Sequence, residues 1–462
     1  MRFLERPRSR STLLFLWLTG VMIYINRRGI GDLDSWWHTL IGDQIRAGVH
    51  ISQWGDSWSL YDDGHAWRSS QWLTELLFSL LHSLFGWSGL IVFRNVIGVT
   101  LLLWLSRVVL RGRSFRIAFP ILVLSTFMIA PLIQERPALL GLLFTFGIGC
   151  AGAEILETGN ISSKHWWWIP TTTLWANFHG SWVLAPTIFS ITALALLVSI
   201  RTHRLRKAFP RSLILLIGGS ILAGCITPLG VRGLFLPFTM ADRASAFIIE
   251  WHRTRLFDGL TAPLAILLML ILMMLIIRRS KSDLDLVIVV IFWSIFAVLA
   301  FRNIGPAFLI LLPTALQRFL PSSSQHVSRT HWAIPPAFIL IAVLVVDPIS
   351  TTSLREIGSY LKDSKITYRI LNSYNASGPL LAFGGNHISL MVDGRADRYP
   401  KEWMAEYLIA ARNGIQVEKY VDTYDLNAAV VERASMAANV FRYRLKWNEK
   451  VSEKRYILFT RP

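Results

Sequence analysis

Long apolar runs, broken by short polar stretches, recur along the first three quarters of this 462-residue chain, as at 88–110, 138–157 and 284–301. Each is about as long as a helix must be to cross the hydrocarbon core of a bilayer. A transmembrane β-barrel would instead show short segments of alternating polarity. Hydrophobic residues make up 53% of the chain and the mean hydropathy is +0.44, too apolar for a water-soluble globule. Cys150 and Cys225 lie inside apolar runs and read as structural cysteines, not as a disulfide or metal framework.

The formal net charge is +18. No basic module with interleaved aromatics stands apart from the apolar runs, which argues against a nucleic-acid partner. Lys and Arg instead cap the runs on one side, the pattern of cytoplasmic loops. The opening "MRFLERPRSR" is therefore placed in the cytoplasm. No small-residue cleavage site follows the first run, so it is read as a retained helix and not a signal peptide. Alternating sides from there gives eleven spans: 12–30, 88–110, 117–134, 138–157, a segment from Trp166, 181–200, 212–228, 261–277, 284–301, 304–320 and 331–347. The basic clusters 107–116, 201–211 and 278–281 fall inside. Asp32, Asp34, Glu75, Glu135, Arg136, His179, Glu250 and Arg302 fall outside.

The expected fold is thus an α-helical polytopic protein of the cytoplasmic membrane. Its membrane domain is 1–350, with a first outer loop at 31–87, and 351–462 form a small extracytoplasmic α/β domain. Two pieces of the loop are amphipathic. Trp37, Ile41 and Ile45 share one face and His38, Gly42, Asp43 and Arg46 another; Gln71, Glu75, Ser79 and His82 form a polar stripe at 70–84. Each is short for a crossing and suited to lying at the membrane interface. In the tail, "PLLAFGG", "SLMVDGR", "NAAVVE" and "RYILFT" read as strands, and "KEWMAEYLIAARNG" as a helix stopped by glycine.

The loop opens with "GDLDSWWHTLIGDQIRAG", which sets Asp32 and Asp34 where the first run ends, followed by Trp36, Trp37 and His38. Tryptophan prefers headgroup depth, which would hold the carboxylates level with lipid phosphates. A carboxylate there can take a proton from a hydroxyl, orient an acceptor or hold a divalent metal. The other outer positions add Arg136 after Glu135, "WANFHG" with Trp175, Asn177 and His179, then Glu250, Trp251 and His252, and Arg302 with Asn303. Arg94 lies within a span and needs a partner or a route to the interface. Acids with several arginines at one face suit a substrate that has a phosphate to hold and a hydroxyl to activate. The alternative is a set of solvated helix ends linked by ion pairs.

The opening block, then "DSWS" and "WRSSQWLTELLF", resembles the first outer loop of a bacterial branch of the glycosyltransferase-C superfamily. Those proteins read Asp-Pro-Asp-x-Trp-Trp-His and continue with Trp-Leu-x-Glu. The resemblance extends in order through "RPALL", "WANFHG", "EW", "FRN", "LNSYNASGPLLAF" and "VDGRADRYP". Leu33 stands where the branch has proline between the acids. The resemblance implies a transferase that uses a polyprenyl-phosphate-linked sugar on the outer face, related to protein O-mannosyltransferases. It implies a hydroxyl acceptor on an envelope glycan, lipid or protein. Carried over, the catalytic acid falls on Asp32 or Asp34, with Asp32 favoured because it lies closer to the helix end. Arg136, Arg302 or Arg94 would hold phosphate bidentately. Trp36, Trp37, His38, Glu75, Asn177, His179, Glu250, Trp251 and Asn303 would line the substrate. The sequence specifies no cofactor; the one candidate is a divalent metal, Mg or Mn, on Asp32 and Asp34. A lipid-linked-sugar flippase would place polar residues near the bilayer midplane, and an envelope-polymer scaffold would not need both acids.

Overall fold

The computed structural model describes residues 7–462 except 63, 65–66, 206–207, 245–247, 256–257, 279–282, 322–346 and 350–353. Along the chain come α1 (Pro7–Ile25), α2 (Asp34–Arg46), α3 (Trp72–Phe85), α4 (Ser88–Leu110), α5 (Phe115–Ile129) and α6 (Ala138–Thr158). There follow α7 (Ser163–Trp166), α8 (Trp168–Phe178), α9 (Leu184–Arg201), α10 (Ser212–Gly224), α11 (Arg232–Ala244), α12 (Ala262–Arg278), α13 (Leu284–Leu299) and α14 (Ile304–Phe319). The tail contributes α15 (Arg355–Asp363), β1 (Tyr368–Asn372), α16 (Ser377–Phe383), β2 (Ile388–Leu390), α17 (Lys401–Asn413) and α18 (Val417–Thr423). It ends with β3 (Ala428–Glu432), α19 (Met436–Asn439), β4 (Asn448–Ser452) and β5 (Tyr456–Thr460).

The described residues divide into two compact units. One is drawn from within Met1–Arg27, Val92–Pro237 and Ile248–Val346; the other is drawn from within Arg28–Ile91, Phe238–Phe247 and Asp347–Pro462. The first is helical. In it α6 packs on α14 and α9, α8 on α10, and α9 on α13. Its inward residues, such as Phe146, Phe189 and Phe308, are buried, while Ile23, Phe127, Leu222 and Leu272 face outward and are exposed. That pattern suits hydrocarbon surroundings, in which outward apolar surface costs nothing.

Among the described residues four helices are long and apolar enough to cross a membrane: Ser88–Leu110, Phe115–Leu132, Ala138–Thr158 and Gly180–Arg201. Ser9–Ile25, Trp72–Phe85, Ser212–Gly224, Ala262–Arg278 and Leu284–Leu299 are apolar but shorter. Among the described residues these do not add up to the expected eleven spans. The segment from Trp166 yields α8, whose 11 residues reach only about 16 Å. The expected span 331–347 falls outside the described residues apart from Asp347. The stretch 229–260, between the expected spans 212–228 and 261–277, carries α11.

The end of the helical unit reached by the C-terminus of α6 is closed by a charge network. Arg318 donates to Glu157 at 2.7 Å, to Asp283 at 2.7 Å and to Asp285 at 2.9 Å. Arg204 pairs with Glu157 at 3.1 Å and with Asp285 at 2.8 Å. Asp285 is fully buried. A buried carboxylate needs such partners, so Arg204, expected as one of a row of cytoplasmic charges, also ties α6 to α13, while Arg318 ties α14 to both.

The second unit is built on a sheet of order β2-β1-β3-β5-β4. β1 runs parallel to β2 and β3; β5 runs antiparallel to β3 and β4. Residues alternate faces along a strand. Leu371, Ala429, Val431, Ile457 and Phe459 pack against Met404, Tyr407, Val417, Tyr420 and Phe441. Ile370, Ala428, Val430 and Leu458 face the other way. They pack onto Leu354, Ile357, Leu361 and Leu380, and onto Trp37, Ile41, Trp54 and Trp67 of the first loop. The tail's sheet therefore buries one face under the loop.

This accounts for both stripes of α2. Trp37 and Ile41, expected to face lipid, cover the sheet. The polar stripe meets that of α3: Ser79 Oγ donates to Asp43 at 2.5 Å and accepts from Arg46 at 3.2 Å. Among the strands, "AAVVE" and "YILFT" lie where expected, and β2, "ISL", overlaps only the first two residues of "SLMVDGR". "PLLAFGG" instead forms α16. A short apolar run does not distinguish strand from helix, and Pro379 falls in the first helical turn, where proline is tolerated. β4, with the sequence "NEKVS", is an exposed edge whose charges hide it from sequence patterning and discourage further strand pairing. α17 ends at Gly414, whose φ of +72° caps the helix.

Candidate functional site

The acidic turn opens α2. Asp32 is 3% exposed; its Oδ1 accepts the Asp34 N–H at 2.8 Å and its carbonyl accepts the Ser35 N–H at 3.3 Å. Asp32 thus satisfies donors that a helix start leaves unpaired. Asp34 is the first helical residue and half-buried, where the helix dipole favours negative charge. Its Oδ1 accepts the Trp37 Nε1–H at 3.0 Å.

One residue on, His38 Nδ1 lies 2.9 Å from Glu75 Oε1, and its Nε2 lies 3.2 Å from the Gln71 amide nitrogen. The Gln71 amide nitrogen can only donate, so with that atom facing the ring Nε2 accepts and Nδ1–H donates to Glu75. His38 and Glu75 are both buried. Trp36 packs between Trp87 at 4.5 Å and Phe383 at 5.1 Å. Trp36 and Trp37 are therefore packed inside the unit, where the sequence suggested substrate contact.

The tail's "DGRADRYP" block belongs to the same unit and meets this turn. A Cβ on Gly394 would stand 2.8 Å from Asp34 Oδ1 and closer still to Trp37 Nε1. Tyr374 Oη donates to the Gly394 carbonyl at 3.3 Å. Burial, with the carboxylates of Asp34 and Asp393 nearby, pushes the Tyr374 phenol well above its ordinary range. Arg395 donates to Asp393 at 2.6 Å and to the carbonyls of Trp54 and Gly55, each at 2.8 Å. Its guanidinium lies between the rings of Trp58 and Trp67, at 5.5 and 5.2 Å. Burial alone would raise the Asp393 carboxyl, but the charge and hydrogen bonds of Arg395 hold it below the usual range. Trp67 Nε1 donates to Asp397 at 2.9 Å.

The candidate arginines belong to the helical unit. Arg94, buried in α4, pairs with Glu135 and donates to Asn26 at 2.8 Å, which supplies the partner its position demands. Arg136 pairs with Glu250 at 2.8 Å while both stay partly exposed. Arg302 stacks 4.3 Å from the centre of the Trp251 ring. The turns Ile249–Trp251 and Phe301–Asn303 are joined where Phe301 N–H donates to the His252 carbonyl at 2.9 Å. Arg136, Glu250, Trp251 and Arg302 thus form one group. Asn303 donates to the Phe296 carbonyl at 2.9 Å. Asn177 donates to the carbonyls of Thr173 and Ile226 at 2.8 and 2.9 Å. His179 Nδ1 lies 2.7 Å from Ser181 Oγ at a helix start. These last three hold backbone or turn structure in place.

Among the described residues no group of three or more His, Cys, Asp or Glu side chains is gathered for a metal. Asp32 and Asp34 offer two carboxylates, the number Mg commonly takes from a protein when a substrate phosphate completes its shell. Sequence reasoning did not single out Asn26, Tyr374, Asp283 or Asp285. Asn26 carried a usable signal, a polar residue at the end of the first apolar run.

No family model matches the chain, and no curated protein matches it in sequence. Among solved structures it is similar to the oligosaccharyltransferase of Archaeoglobus fulgidus, crystallised with an acceptor peptide containing the NVT sequon tethered by a disulfide bond. The two share 12% identity at a TM-score of 0.47, over 90% of this chain and 69% of that chain.

Proposed function

We propose that this protein is a membrane glycosyltransferase of the glycosyltransferase-C type. It moves a sugar from a polyprenyl-phosphate-linked donor to a hydroxyl of an envelope glycan, lipid or protein at the outer face of the membrane. The observation that carries this function is the meeting of its two most specific sequence blocks. Asp34 of "GDLDSWWH" and Gly394 of "DGRADRYP" are 360 positions apart in the chain and abut in one unit. A helix end that merely marks the water boundary would need no such enclosure.

The sugar already carries a phosphate leaving group, so the protein must deprotonate the acceptor and stabilise the departing phosphate. Asp34 is the proposed base. It is half-buried, whereas Asp32 is almost wholly buried and holds the Asp34 N–H. The acceptor oxygen bonds to the anomeric carbon as its proton passes to the Asp34 carboxylate. The electron pair of the breaking C–O bond goes to the polyprenyl phosphate. Arg136 and Arg302 are the proposed phosphate ligands, since a guanidinium bonds phosphate oxygens in pairs. Arg94 is assigned a structural role with Glu135 and Asn26. A divalent cation brought by the donor phosphate would be held by Asp32, leaving Asp34 as the base, and would neutralise phosphate charge.

Glycolipid and surface-polysaccharide profiles of cells with and without the gene test this function. A glycan lost without the gene, restored by the wild type and not by Asp34→Asn, supports it. Restoration by Asp34→Asn refutes Asp34 as the base, and an unchanged profile without the gene refutes the function.

A further inference from the structure

We propose that the C-terminal tail is a positioning element for the acidic turn, and that Gly378 and Gly394 are the residues through which it acts. The catalytic consequence rests on the transferase function above; the contact itself does not.

Two tail glycines press on the turn from two segments. Gly378, in the first turn of α16, lies against the Leu33 carbonyl; a Cβ there would also stand 3.4 Å from Trp36 Cβ. Gly394 lies against Trp37 Nε1 and Asp34 Oδ1. Neither glycine has a positive φ, so neither is required by backbone conformation. What each position demands is the absence of a side chain.

The Gly394 peptide is also unable to retreat. On one side the Asp393 N–H donates to Tyr399 Oη at 3.0 Å. On the other, Arg395 is tied to its own neighbour Asp393 and to the Trp54 and Gly55 carbonyls. Behind it, Tyr374 holds the Gly394 carbonyl. A methyl group at 394 would therefore displace the Trp37 indole and the Asp34 carboxylate, which it meets directly. Trp37 carries the effect, because its Nε1–H is the donor to Asp34 Oδ1. The tail thereby sets both the place of the carboxylate and the hydrogen bond that orients it. Displacement of a reacting group by about 1 Å costs about a hundredfold in rate.

The test uses the full-length protein purified in detergent. Gly394→Ala and Trp37→Phe are compared with the wild type, with Gly31→Ala as control; Gly31 adjoins Asp32 but has nothing within 4 Å of an added Cβ. Trp37→Phe adds no atoms beside the tail, so it serves where Gly394→Ala fails to fold. Hydrogen exchange across residues 32–40 reads the contact, and steady-state sugar transfer reads its consequence. Both variants are expected to exchange faster at 32–40 with β3 and β5 unchanged, and to lose about ten- to a hundredfold in kcat with KM within about twofold. The double variant is expected to be no slower than the slower single variant, since both act through one contact. Exchange and kcat at wild-type values in the single variants, with Asp34→Asn inactive, would overturn the positioning proposal and leave the transferase function standing. Faster exchange at 32–40 with no effect of Asp34→Asn on transfer would support the contact and overturn Asp34 as the base, whereas faster exchange with no sugar transfer by the wild type would support the contact and overturn the transferase function.

Discussion

Replacing Arg395 with methionine is expected to destabilise the unit that carries the acidic turn, and to do so more at high pH than at low. The guanidinium is buried with Asp393, and it supplies charged hydrogen bonds to Asp393 and to two loop carbonyls. Removing one partner of a buried ion pair typically costs about 3–5 kcal/mol, because the remaining charge is stranded. For domains of this general size each kcal/mol moves Tm by about 2–4 °C, so the expected fall is roughly 10 °C. In the wild type the Asp393 carboxyl is held below its usual range. Its contribution is fully present above the unfolded carboxylate pKa, about 4, and is lost only as pH falls through the lower folded value. In Arg395→Met, burial acts without that guanidinium and raises the carboxyl. The folded state then binds more protons than the unfolded state, so stability falls as pH rises, by up to about 1.4 kcal/mol per unit. Thermal unfolding followed by tryptophan fluorescence at pH 5.5 and 8.0 measures both effects, with Trp58 and Trp67 beside the substituted side chain. The double variant Asp393→Leu, Arg395→Met should recover most of the loss. A Tm within 2 °C of wild type at both pH values would refute this account of the pair.

Three further outcomes are expected. Asp285→Ala leaves Arg204 and Arg318 short of a buried carboxylate and should cost about 3–5 kcal/mol; an unchanged unfolding temperature in detergent would show the network to be dispensable. Arg136→Ala breaks a partly exposed pair with Glu250 worth less than about 1 kcal/mol, so Tm should hold while transfer falls at least about tenfold. Arg136→Lys should be nearly as damaging, because lysine cannot bond phosphate bidentately; full activity in Arg136→Ala and Arg302→Ala alike would remove both from the donor site. Reporter fusions after Arg10 and Pro462 should report cytoplasm and exterior respectively, and a cytoplasmic signal at Pro462 would overturn the proposed orientation.

Much of the helical architecture was legible because hydrocarbon imposes length and polarity directly on the sequence; 88–110 and 138–157 form α4 and α6 almost residue for residue. The stripes of α2 and α3 were legible as stripes, but their partners were not. Period alone does not say whether a polar face meets water or another polar face, and here His38 meets Glu75 and Asp43 meets Ser79. Nor does it say whether Trp37 and Ile41 meet lipid or a sheet more than three hundred residues away. The run "PLLAFGG" is too short for period to decide between strand and helix. The acids of the turn stood out because they end an apolar run. The buried acids Asp283 and Asp285 did not, since their partner Arg318 enters from a helix one span later.

The central claim is that the Asp34 carboxylate takes the proton of the acceptor hydroxyl. The most direct test is sugar transfer from a polyprenyl-phosphate-linked donor by purified wild type, Asp32→Asn and Asp34→Asn, each first shown to be folded and inserted. Amide for carboxylate preserves size, so both variants should fold, and Asp34→Asn should lose about a hundred- to ten-thousandfold in kcat. Asp32→Asn should lose less, because its role is to hold the turn. Transfer by Asp34→Asn at the wild-type rate would contradict the claim, and transfer by both variants at that rate would leave the two acids as a helix start and nothing more.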